Sequence, residues 1–134
     1  MDYKLELVLI PVTDIDRAKA FYEQAGFNVD VDHSSGDDFR VVQLTPPGSA
    51  CSAAIGIGLT DAAPGSQRGT HLVVNDIEEA RKELIGRGIE VSEVRHMTQD
   101  GWQPGPDPEH ADYGSFADFS DPDGNGWVLQ EVRR

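Results

Sequence analysis

Basic residues are scarce in this chain. Lysine and arginine number 11 against 24 aspartates and glutamates, so the net charge is 11 − 24 = −13. A surface of that sign repels phosphate backbones and anionic lipid, which sets aside nucleic acid and membranes as partners. Cysteine is nearly absent: Cys51 alone cannot form an internal disulfide, which suits a reducing cytoplasm. No apolar run is long enough to span a bilayer, and no basic start leads into a long apolar stretch at the N-terminus. A soluble, cytoplasmic protein is therefore expected. What is present is ordinary: 26% charged and 38% hydrophobic residues, the acids scattered as on a solvated surface. A chain of 134 residues suffices for one domain, 1–134, that buries about two-thirds of its unfolded surface.

The informative feature is an internal repeat. "LELVLIPVTDIDRAKAFYEQAGFNV" (5–29) aligns with "RGTHLVVNDIEEARKELIGRGIEV" (68–91), pairing Val12 with Val74, Asp14 with Asp76, Ile15 with Ile77, and Ala18 with Ala80. Tyr22 pairs with Leu84, Gly26 with Gly88 and Val29 with Val91, every pair 62 apart. Each copy reads as an apolar strand (about 4–12, and about 69–75) running into a helix-capping Asp; Asp76 with Glu79 has the spacing of a capping box. Apolar residues then fall at helical spacing (Ile15, Ala18, Tyr22, Ala25; Ile77, Ala80, Leu84), and Gly26 and Gly88 suit a left-handed cap. Strands with period-two alternation follow at Phe27, Val29, Val31 and at Ile89, Val91.

Further on, "LTPPGSACSAAI" (44–55) aligns with "SDPDGNGWVLQE" (120–131) at an offset of 76. The extra 76 − 62 = 14 residues belong in an irregular insertion, 96–113, rich in Gly, Pro and Asp. Module 1 is thus about 1–60 and module 2 about 67–134, each strand–helix–strand–strand–strand. "DPDG" is a tight turn, in which Asp121 and Asp123 are turn residues rather than catalytic acids.

This doubled module, with "PVTDIDRAKAFYEQAGF" after its first strand and "FSDPDGNGWVLQE" at its end, resembles the vicinal oxygen chelate superfamily. That group includes glyoxalase I, extradiol dioxygenases, fosfomycin-modifying enzymes and bleomycin-binding resistance proteins. The resemblance covers nearly the whole chain and implies an α+β fold: two tandem βαβββ modules forming a curled mixed sheet around a cup, helices outside. Modules from one chain or across a dimer enclose a small-molecule site, and a homodimer is expected. It implies no single reaction.

In metal-dependent members the first and last strands of each module supply the ligands. Carried over, those positions are Leu7, Ser52, Gly69 and Val128. None offers imidazole, carboxylate or thiolate, and segment 39–60 contains no His, Asp or Glu, so neither a metal nor another cofactor is expected. Two residues further in, the same strands carry Leu9, Ala54, His71 and Gln130, with His71 and Gln130 expected to face one way. His71 reads either as a satisfied interior histidine or as a ligand-binding group and candidate base. The insertion adds Trp102, His110 and Tyr113; Trp102 either anchors the loop or covers a ligand. Trp127 reads as core, His33 and His96 as surface residues, and Arg40 as an anion anchor or a surface residue.

The binding positions expected are therefore His71, Gln130, Trp102, Leu7, Leu9, Ser52, Val128 and Tyr113. The function expected is metal-free small-molecule binding, sequestering or sensing a ligand. The alternatives are a metal- or His71-dependent enzyme of the glyoxalase or dioxygenase type, and a structural dimer with a vestigial cup.

Overall fold

The computed structural model describes residues 1–133, which hold two helices and nine strands in two mixed sheets. The chain divides into two compact units: Met1–Gln67 with Asp121–Asn125, and Arg68–Ser120 with the chain from Gly126 onward. In the first, β1 (Leu7–Leu9), α1 (Ile15–Gln24), β2 (Asn28–Ser35), β3 (Phe39–Thr45) and β4 (Ser52–Ile57) give a sheet ordered β1-β4-β3-β2. In the second, β5 (Thr70–Val74), α2 (Ile77–Gly86), β6 (Arg95–Thr98), β7 (Gly101–Pro104), β8 (Ser115–Ser120) and β9 (Gly126–Glu131) give β5-β9-β8-β6-β7. The first strand of each unit runs parallel to the last, and the other pairings are antiparallel. The tandem βαβββ plan is present, with a sheet for each module.

The repeat works through its punctuation. Asp14 accepts a hydrogen bond from Arg17 N at 3.0 Å and Asp76 one from Glu79 N at 3.1 Å, satisfying amides that a helix start leaves open. Gly26 and Gly88 lie at φ 102° and 87°, a region closed to most side chains, and stop both helices. Apolar faces then set the packing. Ala18 and Tyr22 of α1 bury against Val42, Leu44, Ala53 and Ile55 of the first sheet. Ile77 of α2 shares the second core with Ala117, Phe119, Trp127 and Leu129, Phe119 and Trp127 stacking with planes 6° apart. Each large side chain so buried contributes about 1.5–3 kcal/mol against about 1 kcal/mol for a typical capping bond, and such side chains outnumber the caps, so packing decides the fold and the caps decide where helices begin.

The turn after β8 is more than a turn. Asp121 is buried, and Oδ1 accepts from Asp123 N and Asn125 N, both at 2.9 Å. Its Oδ2 accepts from Tyr22 Oη and Asn125 Nδ2, both at 2.8 Å, while Asn125 Nδ2 also donates to Pro11 O. Asp123 accepts from Thr13 Oγ1 at 2.7 Å. The segment 121–125 is thereby built into the first unit.

Four local readings change. Strand β1 covers three residues rather than nine. No strand forms at 89–91: the Ser92 carbonyl is taken by Arg81 Nε at 2.8 Å, and the strand begins only at Arg95. The insertion 96–113 is regular in its first part, because β6 and β7 pair as a hairpin around Gln99–Asp100, with Gly101 at φ 98°. His96, expected at the surface, is buried with Nδ1 donating to Gly105 O at 2.8 Å. No helix among the described residues is long and apolar enough to cross a membrane.

Candidate functional site

In the second unit, Trp127, Leu129 and Glu131 point to the helix side, which leaves Val128 and Gln130 on the other face. Register extends that face across the sheet. One row runs Val73–Gln130–Phe116–Arg95–Pro104, and the next sets His71 beside Val128 and Asp118. His71 and Gln130 thus share a face on neighbouring strands, one row apart. His71 Nδ1 lies 2.7 Å from Gly69 O, an acceptor only, so Nδ1 carries the proton and Nε2 of the neutral ring keeps its lone pair. Gln130 Nε2 donates to Tyr113 O at 3.2 Å and brings Tyr113 to the same edge.

Tyr113 is about half exposed and sits at φ 67°, close after His110 at φ 50°. Left-handed backbone costs an ordinary residue about 1 kcal/mol, so something must hold it. Glu131, fully buried, does so. Its backbone O accepts from Tyr113 N, its Oε1 from His110 Nδ1 and its Oε2 from Ile77 N at the start of α2, all at 2.9 Å.

Trp102, on β7, stands half exposed with its ring 5.5 Å from that of Phe116, edge to face. Arg95 lies over the indole with Cζ 5.0 Å from the ring centre, and its Nη1 is 2.6 Å from Asp118 Oδ1. Met97, opposite Trp102 in the hairpin, is also exposed. Arg95, Phe116 and Asp118 were not among the expected site residues. The alternation Phe116–Asp118 against Ala117–Phe119 is the signal that could have found two of them.

In the first unit, the face turned from α1 carries Leu7 opposite Ser52, and Leu9 opposite Ala54. Gln43 is opposite Ala54 on the next strand, so it faces the same way. Ser52 is buried within reach of Thr45 Oγ1 at 2.6 Å and Gln43 Nε2 at 3.3 Å, and Thr45 Oγ1 also bonds Asp30. Arg40 faces the helix instead: its guanidinium pairs with Asp32 and with Asp16 of α1, both at 2.9 Å. Arg40 and then Lys19 hold the Asp32 carboxyl well below its ordinary range, and Asp32 in turn raises the guanidinium. With its charge so matched, Arg40 is no anchor for a ligand.

The positions implied for a metal do not converge as donors. Leu7 faces Ser52, and Val128 faces His71 rather than Gly69, which precedes β5. The reason is a two-residue stagger. The turn glycines lie 124 − 48 = 76 apart, but the last strands start 126 − 52 = 74 apart. Leucine beside serine in the first unit, and one imidazole beside valine in the second, each fall short of the donors a divalent metal needs, and no three His, Cys, Asp or Glu side chains converge among the described residues. What the arrangement offers is apolar and aromatic surface with a few placed acceptors and donors.

A family model described as the Glyoxalase/Bleomycin resistance protein/Dioxygenase superfamily matches residues 4–129. Among solved structures, the chain is similar to TnmS3, an antibiotic binding protein from Streptomyces sp. CB03234. The two share 31% identity and a TM-score of 0.74, over 97% of this chain and 96% of that one. A glyoxalase/bleomycin resistance protein from the same strain shows 32% identity and a TM-score of 0.71, over 95% and 99%. A superfamily member from Sphaerobacter thermophilus DSM 20745 shows 29% identity and a TM-score of 0.73, over 98% of each chain. Among curated proteins nothing matches.

Proposed function

The chain belongs to the Glyoxalase/Bleomycin resistance protein/Dioxygenase superfamily, and from that premise we propose that it binds a small, partly aromatic molecule without a metal, sequestering or sensing it. The observation that carries this reading is the Trp102–Phe116–Arg95 platform, exposed aromatic surface on a sheet face where no three metal donors converge among the described residues. Half-exposed indole surface gains free energy when a ring covers it, and Arg95 fixes the plane on which that ring would lie. His71 Nε2 and the Gln130 and Tyr113 edge supply polar partners for orientation. Similarity to an antibiotic binding protein supports the binding of a small molecule. Val128 serves as apolar wall beside His71 on this face, and Leu7, Leu9 and Ser52 are an apolar or neutral surface on the first unit's own sheet. The working form we propose is a homodimer, because β1 is an edge strand whose first residue Leu7 and preceding residues Tyr3 and Leu5 are exposed.

The test is a fluorescence and native mass spectrometry titration against planar aromatic and cationic antibiotics and metabolites. Trp102→Ala is expected to weaken the best binder about five- to tenfold, the worth of one aromatic pair, with far-UV circular dichroism unchanged. A panel in which nothing binds, or in which Trp102→Ala binds as wild type does, would overturn the reading.

A further inference from the structure

On the face of the first sheet turned from α1, register sets Leu9, Ala54, Gln43 and Val31 in one row across four strands. Gln43 is the single polar side chain in that row. Its orientation follows from a chain of hydrogen bonds. Asp30 is a carboxylate and only accepts, so the Thr45 hydroxyl donates its one proton there. Thr45 Oγ1 must then accept from Ser52, 2.6 Å away, which uses the only proton Ser52 has. Ser52 can therefore only accept from Gln43, so the amide group at 3.3 Å is NH₂ and not the carbonyl. The Gln43 carbonyl is left at the other end of the amide with no hydrogen-bond partner among the described residues, in the row that holds Leu9, Ala54 and Val31.

We propose that the Gln43 Oε1 is a ligand-selecting acceptor, held outward by the Asp30–Thr45–Ser52 relay, and that this face takes neutral apolar molecules carrying an O–H or N–H donor. The inference rests on the small-molecule-binding reading above. An apolar row with one fixed acceptor binds a donor-bearing ring well, binds its alkylated analogue less well, and repels a carboxylate, which would meet both Oε1 and the charge of Asp30. If Gln43 served only to satisfy Ser52, the exposed end of the amide would discriminate nothing.

The test uses the full ¹⁵N-labelled chain with three probes: 2-naphthol, 2-methoxynaphthalene and 2-naphthoate. The naphthol is expected to bind about five- to tenfold more tightly than the ether, the worth of one neutral hydrogen bond, and to shift the Gln43 side-chain amide resonances. Naphthoate should bind most weakly. Gln43→Leu should bring naphthol down to the level of the ether with the remaining spectrum unchanged. Thr45→Val frees the Ser52 proton, lets the amide turn over and should shrink the same preference while Gln43 itself remains. Equal binding of naphthol and ether by wild type, or a preference that survives Gln43→Leu, would overturn the role of Gln43 and leave small-molecule binding standing. Failure of all three probes while an aromatic antibiotic binds does the same; failure of every ligand sinks both.

Discussion

Asp121 concentrates more of the first unit than any turn residue is asked to. Four donors reach its carboxylate, one of them Tyr22 Oη from the last turn of α1, and Tyr22 and Asn125 are buried while Asp123 is half-buried. A buried donor left without an acceptor costs about 1–3 kcal/mol, so Asp121→Ala should destabilise by at least about 3 kcal/mol and Tyr22→Phe by about 1–2. Urea unfolding of both variants checks this, and nearly equal effects would mean the backbone donors are rescued by water. Asp32 is the contrasting case, a partly exposed carboxyl lowered by Arg40 and Lys19. A group whose folded pKa is depressed adds stability above its unfolded value, about 4, and loses it as pH falls through the folded value. Asp32→Asn should thus cost at most about 1 kcal/mol at neutral pH, and the gap from wild type should close in acid. A gap that widens below pH 4 would contradict the pairing. The sequence marked Asp121 as a turn residue because "DPDG" is a local signal, but its bond to Tyr22 spans 99 residues and leaves no local trace. Arg40 was ambiguous for the same reason, since its facing depends on Asp16 and Asp32 arriving from other elements.

Elements were legible where their boundaries are set by one or two neighbouring residues. Helices 15–24 and 77–86 lie 62 apart, as the repeat requires, because each is bounded by its own Asp and Gly. Strands were less so. The alternation at Ile89 and Val91 is genuine packing, with Ile89 buried, yet Arg81 removes a carbonyl that a ladder needs. The β6–β7 hairpin did carry a signal, the Asp100–Gly101 pair, which the density of Gly and Pro around it obscured. The loop that follows is fastened by Glu131, which ties α2, His110 and Tyr113 together. Glu131→Ala should therefore destabilise by about 3 kcal/mol or more, from an unsatisfied helix-start amide and a released loop. His110→Ala should cost about 1 kcal/mol while raising hydrogen exchange at Tyr113. If Tyr113 exchanges equally slowly in His110→Ala, the left-handed turn is held by its own backbone bond instead.

At the scale of the molecule, the positions carried over within each unit divided into legible and illegible ones for one reason. Positions carried over by spacing hold wherever nothing is gained or lost between landmarks, which placed Leu7 with Ser52 correctly but missed the two-residue stagger that sets His71 beside Val128. Assembly poses the same kind of question, because edges matter only once the sheet order is known. Strand β1 is an edge, paired on one side as far as Glu6 O, which accepts from Ser52 N at 3.0 Å. Along it Met1, Tyr3, Leu5 and Leu7 alternate with Asp2, Lys4 and Glu6, and Tyr3 and Leu5 are 90% and 72% exposed. Covering three such side chains on each of two chains gains about 1.5–3 kcal/mol apiece. Association itself costs about 4–15 kcal/mol, and two bodies of charge −13 repel. The balance favours a dimer of modest affinity that added salt tightens by screening. Light scattering across a dilution series should show twice the chain mass, falling toward the monomer on dilution and less so at high salt. The pair Tyr3→Ser and Leu5→Ser should yield monomer with an unchanged circular dichroism spectrum. Monomer at every concentration and salt level would show that this edge is left to water.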